Sequence, residues 1–255
     1  NVKFMYEQLV DDVDKVNKIL EKENRKIIHI LTPLESFKSA YENQDYSMII
    51  IPCLEGGFSI SQDIKKGIQI LKELGIRIVT LTHFTNKGIA TSSNDFPVFD
   101  QSYDIKWEEK IEDHLHLSIL GKELVHELIS NNILIDTTHC TEESFWAIIS
   151  EIEKYEKKSK IDKFSIPIIA SHVGVTGRNW SISPLKTTSN LKPEQIKEII
   201  RRNGIIGIIF MPYFHHPLGK IHGKSELITR VIHEIAIRSG EVINNDGGLP
   251  IFDYI

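Results

Sequence analysis

Two kinds of segment alternate along the chain. The short apolar runs KIIHIL (27–32), SMIIIP (47–52), IRIVTLT (76–82), NILIDT (132–137), IPIIAS (166–171) and GIIGIIF (204–210) are rich in β-branched residues and lack polar alternation. Strands of that kind are buried on both faces, as in a parallel sheet covered by helices. Between them, ISQDIKKGIQILKEL (60–74), GKELVHELISN (121–131), EESFWAIISEIEKYEKK (142–158), KPEQIKEIIRR (192–202) and ELITRVIHEIAIR (226–238) repeat Ile and Leu at the spacing of a helix with one buried face. Boundary signals agree. Thr141 stands as an N-cap before Glu142 and Glu143, Pro193 opens its helix, and Gly75 and Gly240 follow the helices they stop.

Strand and helix in strict alternation predict a parallel sheet with crossover helices. No G-x-G-x-x-G or G-x-x-x-x-G-K-[ST] phosphate loop follows an early strand. That favours an α/β fold of the (β/α)8 TIM-barrel type, incomplete or distorted in the chain as given, since six strands are visible where a barrel has eight. Residues 84–118 and 173–191 break the rhythm, and long irregular loops in a compact domain usually carry function.

The 255 residues, 41% of them hydrophobic, suffice for one domain over 1–255 with a proper core. A net charge of -5 and a pI near 6.1 provide no basic field, which sets nucleic acid and anionic lipid aside as partners. No membrane span is expected, because no apolar run approaches the roughly 18–20 residues a spanning helix needs. The start, NVKFMYEQLVDDVDKV, is amphipathic and acidic rather than signal-like. Cys53 and Cys140 lie far apart with no metal-type spacing and read as free thiols.

Candidate chemistry gathers at the strand ends, where the active sites of parallel barrels form. SMIIIP runs into Cys53-Leu54-Glu55-Gly56-Gly57, IRIVTLT into His83, NILIDTT into His139, and IPIIAS into His172. One carboxylate and three imidazoles at equivalent positions would converge on one mouth. That donor set suits Zn2+ or a similar divalent ion. The glycines after Glu55 would let backbone approach closely. Asp136 reads as support, holding loop backbone or orienting an imidazole. His126 and His233 lie in helical segments and His114, His116, His215, His216 and His222 in polar loops, so these seven read as solvated or structural.

Taken together, LEGG (54–57), LKELGIRIVTLTH (71–83), GKELVHELISNNILIDTTH (121–139), IIASHVG (168–174) and LKPEQIKEIIRRNGIIGIIF (191–210) resemble the membrane (renal) dipeptidase family, peptidase family M19, within the amidohydrolase-like barrels. The order and approximate spacing match, and NKGIATSSNDFPVF (86–99) is most similar to a bacterial dipeptidase-like branch. The resemblance implies a metallo-dipeptidase with two zinc ions, in which a hydroxide held between them attacks the peptide carbonyl of a small peptide substrate. Carried over, Glu55 is the bridging carboxylate, His139 and His172 are imidazole ligands of one ion, and His83 contacts substrate and stabilises the oxyanion. A homodimer is a further candidate partner.

Three departures accompany the resemblance. No His-x-Asp pair, the family's ligand motif on its first strand, occurs in the chain. The family's last-strand aspartate has Asp246, in INNDGG, as its nearest candidate metal ligand. Ser189-Asn190-Leu191 replaces an Arg-Asn-Leu step, leaving Arg178 as the stand-in for binding the substrate carboxylate. Two explanations fit: the missing segments belong to a longer chain, which is the expectation here, or the chain is a divergent barrel that binds a small ligand without catalysis. Another amidohydrolase-type activity, on a lactone, amide or phosphoester, is a third reading.

Overall fold

In the computed structural model, residues 2–42, 46–60, 62–83, 88–93, 116–174 and 190–209 are described. The apolar runs form strands β1 (Ile27–Ile30), β2 (Tyr46–Ile50), β3 (Cys53–Glu55), β4 (Ile78–Thr80), β5 (Leu134–Asp136), β6 (Ile168–Val173) and β7 (Ile205–Ile208). The periodic segments 60–74, 121–131, 142–158 and 192–202 form α3 (Ile64–Glu73), α4 (Ile119–Ser130), α5 (Glu142–Ser159) and α6 (Pro193–Arg201); α1 (Val2–Lys22), in the amphipathic start, and α2 (Phe37–Glu42) lie outside those segments. The segment 226–238, Gly240 and most of the two long loops lie outside the described residues.

Every described strand pair is parallel. β3-β4-β5-β6-β7 form one sheet in chain order, and β1-β2 form a second. The described strands form a parallel α/β layer of barrel type and, among the described residues, do not close a ring. One difference from the sequence reading concerns the run SMIIIP (47–52), expected as the strand whose end delivers Glu55. That run ends as β2 at Ile50, and after Ile51-Pro52 Glu55 closes a separate strand, β3, which pairs in the other sheet. Pro52 has no amide to donate to a ladder, and the break falls there.

Local chemistry accounts for the helix boundaries. The side chains of Asp63, Ser118 and Thr141 accept from the amides of Lys66, Gly121 and Ser144 at the starts of α3, α4 and α5. Gln195 Oε1 accepts from the Lys192 amide at 2.9 Å ahead of α6, where Pro193 occupies a first-turn position that needs no donor. Gly75, at φ 72°, turns the chain out of α3.

Register sorts the strand residues onto two faces. Leu54, Val79, Ile135 and Ile168 are mutual neighbours across β3 to β6. All four are buried in one cluster with Ile68 and Leu71 of α3, Leu124 and Leu128 of α4, and Phe145, Ile148 and Ile152 of α5. Each such side chain contributes about 1.5–3 kcal/mol of burial, so this row holds the sheet against its helices. The next row, Glu55, Thr80 and Asp136, points to the opposite face because side chains alternate along a strand. That second face carries the polar chemistry.

Candidate metal centre

Glu55 ends β3, and the chain after it turns sharply. Gly56 has φ 100°, and a Cβ there would fall 2.5 Å from the Phe58 ring, so only glycine fits without displacing that ring. The amides of Gly56 and Gly57 donate to the carbonyls of Thr80 and Leu81 at 2.9 and 3.1 Å, continuing the ladder past the strand. The carboxylate is thereby fixed beside β4.

The three strand-end histidines reach this carboxylate. His139 Nε2 lies 2.9 Å from Glu55 Oε1, His172 Nε2 3.2 Å and His83 Nε2 3.7 Å. His139 Nε2 and His172 Nε2 are 3.1 Å apart. The rings of His83 and His172 meet the His139 ring edge-on, with centroids 5.0 and 4.9 Å away. His139 is buried between its two half-exposed neighbours, with 7% of its side chain accessible. The hydrogen bond from His139, the largest influence, holds the Glu55 carboxyl far below the usual carboxylate range, against the opposing cost of its burial.

Glu55 Oε1, His139 Nε2 and His172 Nε2 form a triangle with sides of 2.9, 3.2 and 3.1 Å. In a tetrahedral zinc shell with bonds near 2.0–2.1 Å, adjacent ligand atoms stand about 3.3 Å apart, so the triangle has the size of one face of that shell. Glu55, His83 and His139 also present one ligand atom each within 4.8 Å of one another. Of the two sets, the triangle with His172 is the tighter, and His83 stands outside it.

Asp136 is 1% exposed, and five donors from three residues fill its two oxygens. Oδ1 accepts from the Thr138 amide at 3.0 Å, the Thr138 hydroxyl at 2.7 Å and the Ser171 amide at 3.1 Å. Oδ2 accepts from Thr80 Oγ1 at 2.8 Å and Ser171 Oγ at 2.5 Å. The expected support role is met through a cage that ties β4, the β5 end and β6 together. Residues 88–93 tie the loops from above: the Ser92 hydroxyl donates to the His83 carbonyl, and Ser93 donates to the His139 carbonyl from its amide at 2.7 Å and its hydroxyl at 3.1 Å.

Arg178 and Asp246 lie outside the described residues, as do His114, His215, His216, His222 and His233. His126, expected to be solvated or structural, faces Glu151 across α4 and α5 at 2.9 Å. The sequence reading did not single out Thr80, Ser92, Ser93 or Ser171. The available signal was small: a serine directly before His172.

Fold and site define a class: a parallel α/β protein with a cluster of residues that could hold a metal ion at the carboxyl ends of its strands. The model of one family, Membrane dipeptidase (Peptidase family M19), matches residues 3–236, and the chain belongs to that family. No curated protein sequence matches significantly. Among solved structures, an amidohydrolase from Pseudomonas aeruginosa is 17% identical with a TM-score of 0.59, over 92% of this chain and 59% of that one. The probable dipeptidase PvdM from Pseudomonas aeruginosa is 16% identical with a TM-score of 0.53, over 88% and 57%. A metallo peptidase from Rhodobacter sphaeroides, liganded with a phosphinate mimic of the dipeptide L-Ala-D-Ala, is 18% identical with a TM-score of 0.56, over 85% and 54%. These likenesses are of fold, and the chain spans less than three-fifths of the length of each of these structures. No described helix is long and apolar enough to cross a membrane.

Proposed function

We propose that the chain is a zinc-dependent dipeptidase in which Glu55, His139 and His172 hold one ion and His83 faces the substrate. The triangle of one carboxylate oxygen and two imidazole nitrogens, each within 2.9–3.2 Å of the others, carries this reading. Bound there, the ion would polarise the scissile carbonyl and lower the pKa of an attached water. Glu55 supplies the negative charge that balances the ion. In this reading His83 Nε2, set back at 3.7 Å from Glu55 Oε1, would donate to the oxygen that gains charge as the carbonyl is attacked. Arg178 and Asp246 stay in this reading on sequence grounds alone, for the substrate carboxylate and for a second ion.

The experiment is metal analysis of the purified chain followed by hydrolysis assays on a dipeptide panel. The expected result is near-stoichiometric zinc, loss of cleavage on chelation, and loss of zinc in Glu55→Gln. A metal-free chain that binds no divalent ion on titration overturns the reading. One observation favours a second reading, a barrel that binds a small ligand without turnover: the chain has no His-x-Asp pair and carries Ser189 where the family has an arginine. Stoichiometric zinc with ligand binding but no hydrolysis of any dipeptide would select it.

A further inference from the structure

The geometry points to Ser171, backed by Asp136, as the positioning residue that sets the tautomer of His172 and leaves its Nε2 bare toward Glu55. This rests on the reading of His172 as a metal ligand, because a ligand nitrogen must present a lone pair.

A serine hydroxyl has one proton to give and lone pairs to accept with. Ser171 Oγ lies 2.5 Å from Asp136 Oδ2 and 2.8 Å from His172 Nδ1. Asp136 is an acceptor whose oxygens are met by donors alone, so the Ser171 proton goes to Oδ2. Thr138 Oγ1, 3.4 Å from Ser171 Oγ, gives its own proton to Asp136 Oδ1 at 2.7 Å and does not compete. The Ser171 oxygen is then an acceptor toward His172, and Nδ1 must carry the ring proton. In a neutral imidazole that leaves the lone pair on Nε2, the atom 3.2 Å from Glu55 Oε1 and 3.1 Å from His139 Nε2. The opposite arrangement, with Ser171 donating to Nδ1, would deprive Asp136 of a donor and put a proton on Nε2 inside the triangle. Asp136 therefore acts at a distance: its buried charge orients a hydroxyl, and the hydroxyl orients the ring.

The test uses the metal-free full chain labelled with 15N-histidine. Two-bond nitrogen–proton correlations at about pH 8, where an ordinary imidazole is neutral, read the tautomer directly. Wild type is expected to show His172 protonated at Nδ1. Ser171→Ala is expected to move the ring toward the Nε2–H form and to weaken zinc binding by about 10- to 100-fold, the usual effect of removing a partner behind a ligand histidine. Ser171→Thr keeps a hydroxyl on an exposed residue and should restore both. A wild-type Nε2–H form, or a Ser171→Ala chain with unchanged tautomer and zinc affinity, overturns the inference. The tautomer is read without metal, so a chain that shows the Nδ1–H form yet takes up no zinc supports the relay while sinking the proposed function.

Discussion

The carbonyl oxygen of His139 takes two hydrogen bonds from Ser93, one from the amide at 2.7 Å and one from the hydroxyl at 3.1 Å. They hold His139 at φ 65°, a left-handed conformation that costs a non-glycine residue about 1–2 kcal/mol. The strain serves the site, since it aims the ring at Glu55. Replacement by glycine relieves it and replacement by alanine does not. In urea denaturation of the metal-free protein, His139→Gly should therefore be more stable than His139→Ala by about 1 kcal/mol, while both lose zinc. Equal stability of the two variants would show that the backbone is not strained there.

Gly207 on β7 lies against Ser171 on β6, where an added Cβ would fall 1.9 Å from the Ser171 carbonyl oxygen. Backbone on both sides leaves nothing flexible to move. Gly207→Ala should cost about 2 kcal/mol or more and weaken zinc binding by displacing Ser171 and His172. Gly204→Ala is the control: its Cβ would fall equally close to the Ile168 carbonyl, at the far end of β6. It should destabilise comparably with little effect on zinc affinity in the folded protein. Identical zinc affinity in both variants would separate the β6–β7 contact from the site.

Arg202 is fully buried just past α6, its Nε 2.8 Å from Glu198 Oε1 and its Nη1 2.8 Å from Glu156 Oε1, with Phe164 packed on the guanidinium at 5.3 Å. Removing the cation strands two buried carboxylates. Arg202→Met should cost about 3–5 kcal/mol, read as a lower urea midpoint, and leave the zinc affinity of folded protein unchanged. A cost under about 1 kcal/mol would mean that the two glutamates find other partners.

The elements were legible in the sequence because apolar periodicity records which face each one buries. The strand ends were legible because Glu55, His83, His139 and His172 each follow an apolar run. What escaped was set by pairing between distant strands. Ser171 matters only because Asp136 lies across β5 and β6 from it, and Thr80 only because register sets it beside both Glu55 and Asp136. Arg202 was hidden differently. Gln195, Glu198 and Arg202 recur at helical spacing and are all buried, a polar stripe that hydrophobicity reads as solvent-facing. The division at Pro52 could have been anticipated from its missing amide, but the surrounding apolar residues masked it.

The two thiols should differ sharply in reactivity. Cys140 is buried beside Thr82 Oγ1 at 3.4 Å, and burial pushes its pKa up to about 12. Cys53 is exposed on β3, two residues before Glu55 on the same face, and its pKa is raised by partial burial first and by the charges of Asp136 and Glu55 second. A raised pKa means less thiolate at a given pH, and the thiolate is the form that attacks a disulfide reagent. Native protein titrated with such a reagent should show one reactive thiol, mapped by mass spectrometry to Cys53, and the second only on unfolding. At neutral pH Cys53 should react more slowly than free cysteine, with a rate that keeps climbing at pH values where free cysteine has levelled off. Modification of Cys140 in the native state, or a Cys53 rate that levels off with free cysteine, would contradict the buried and acidic surroundings assigned to these residues.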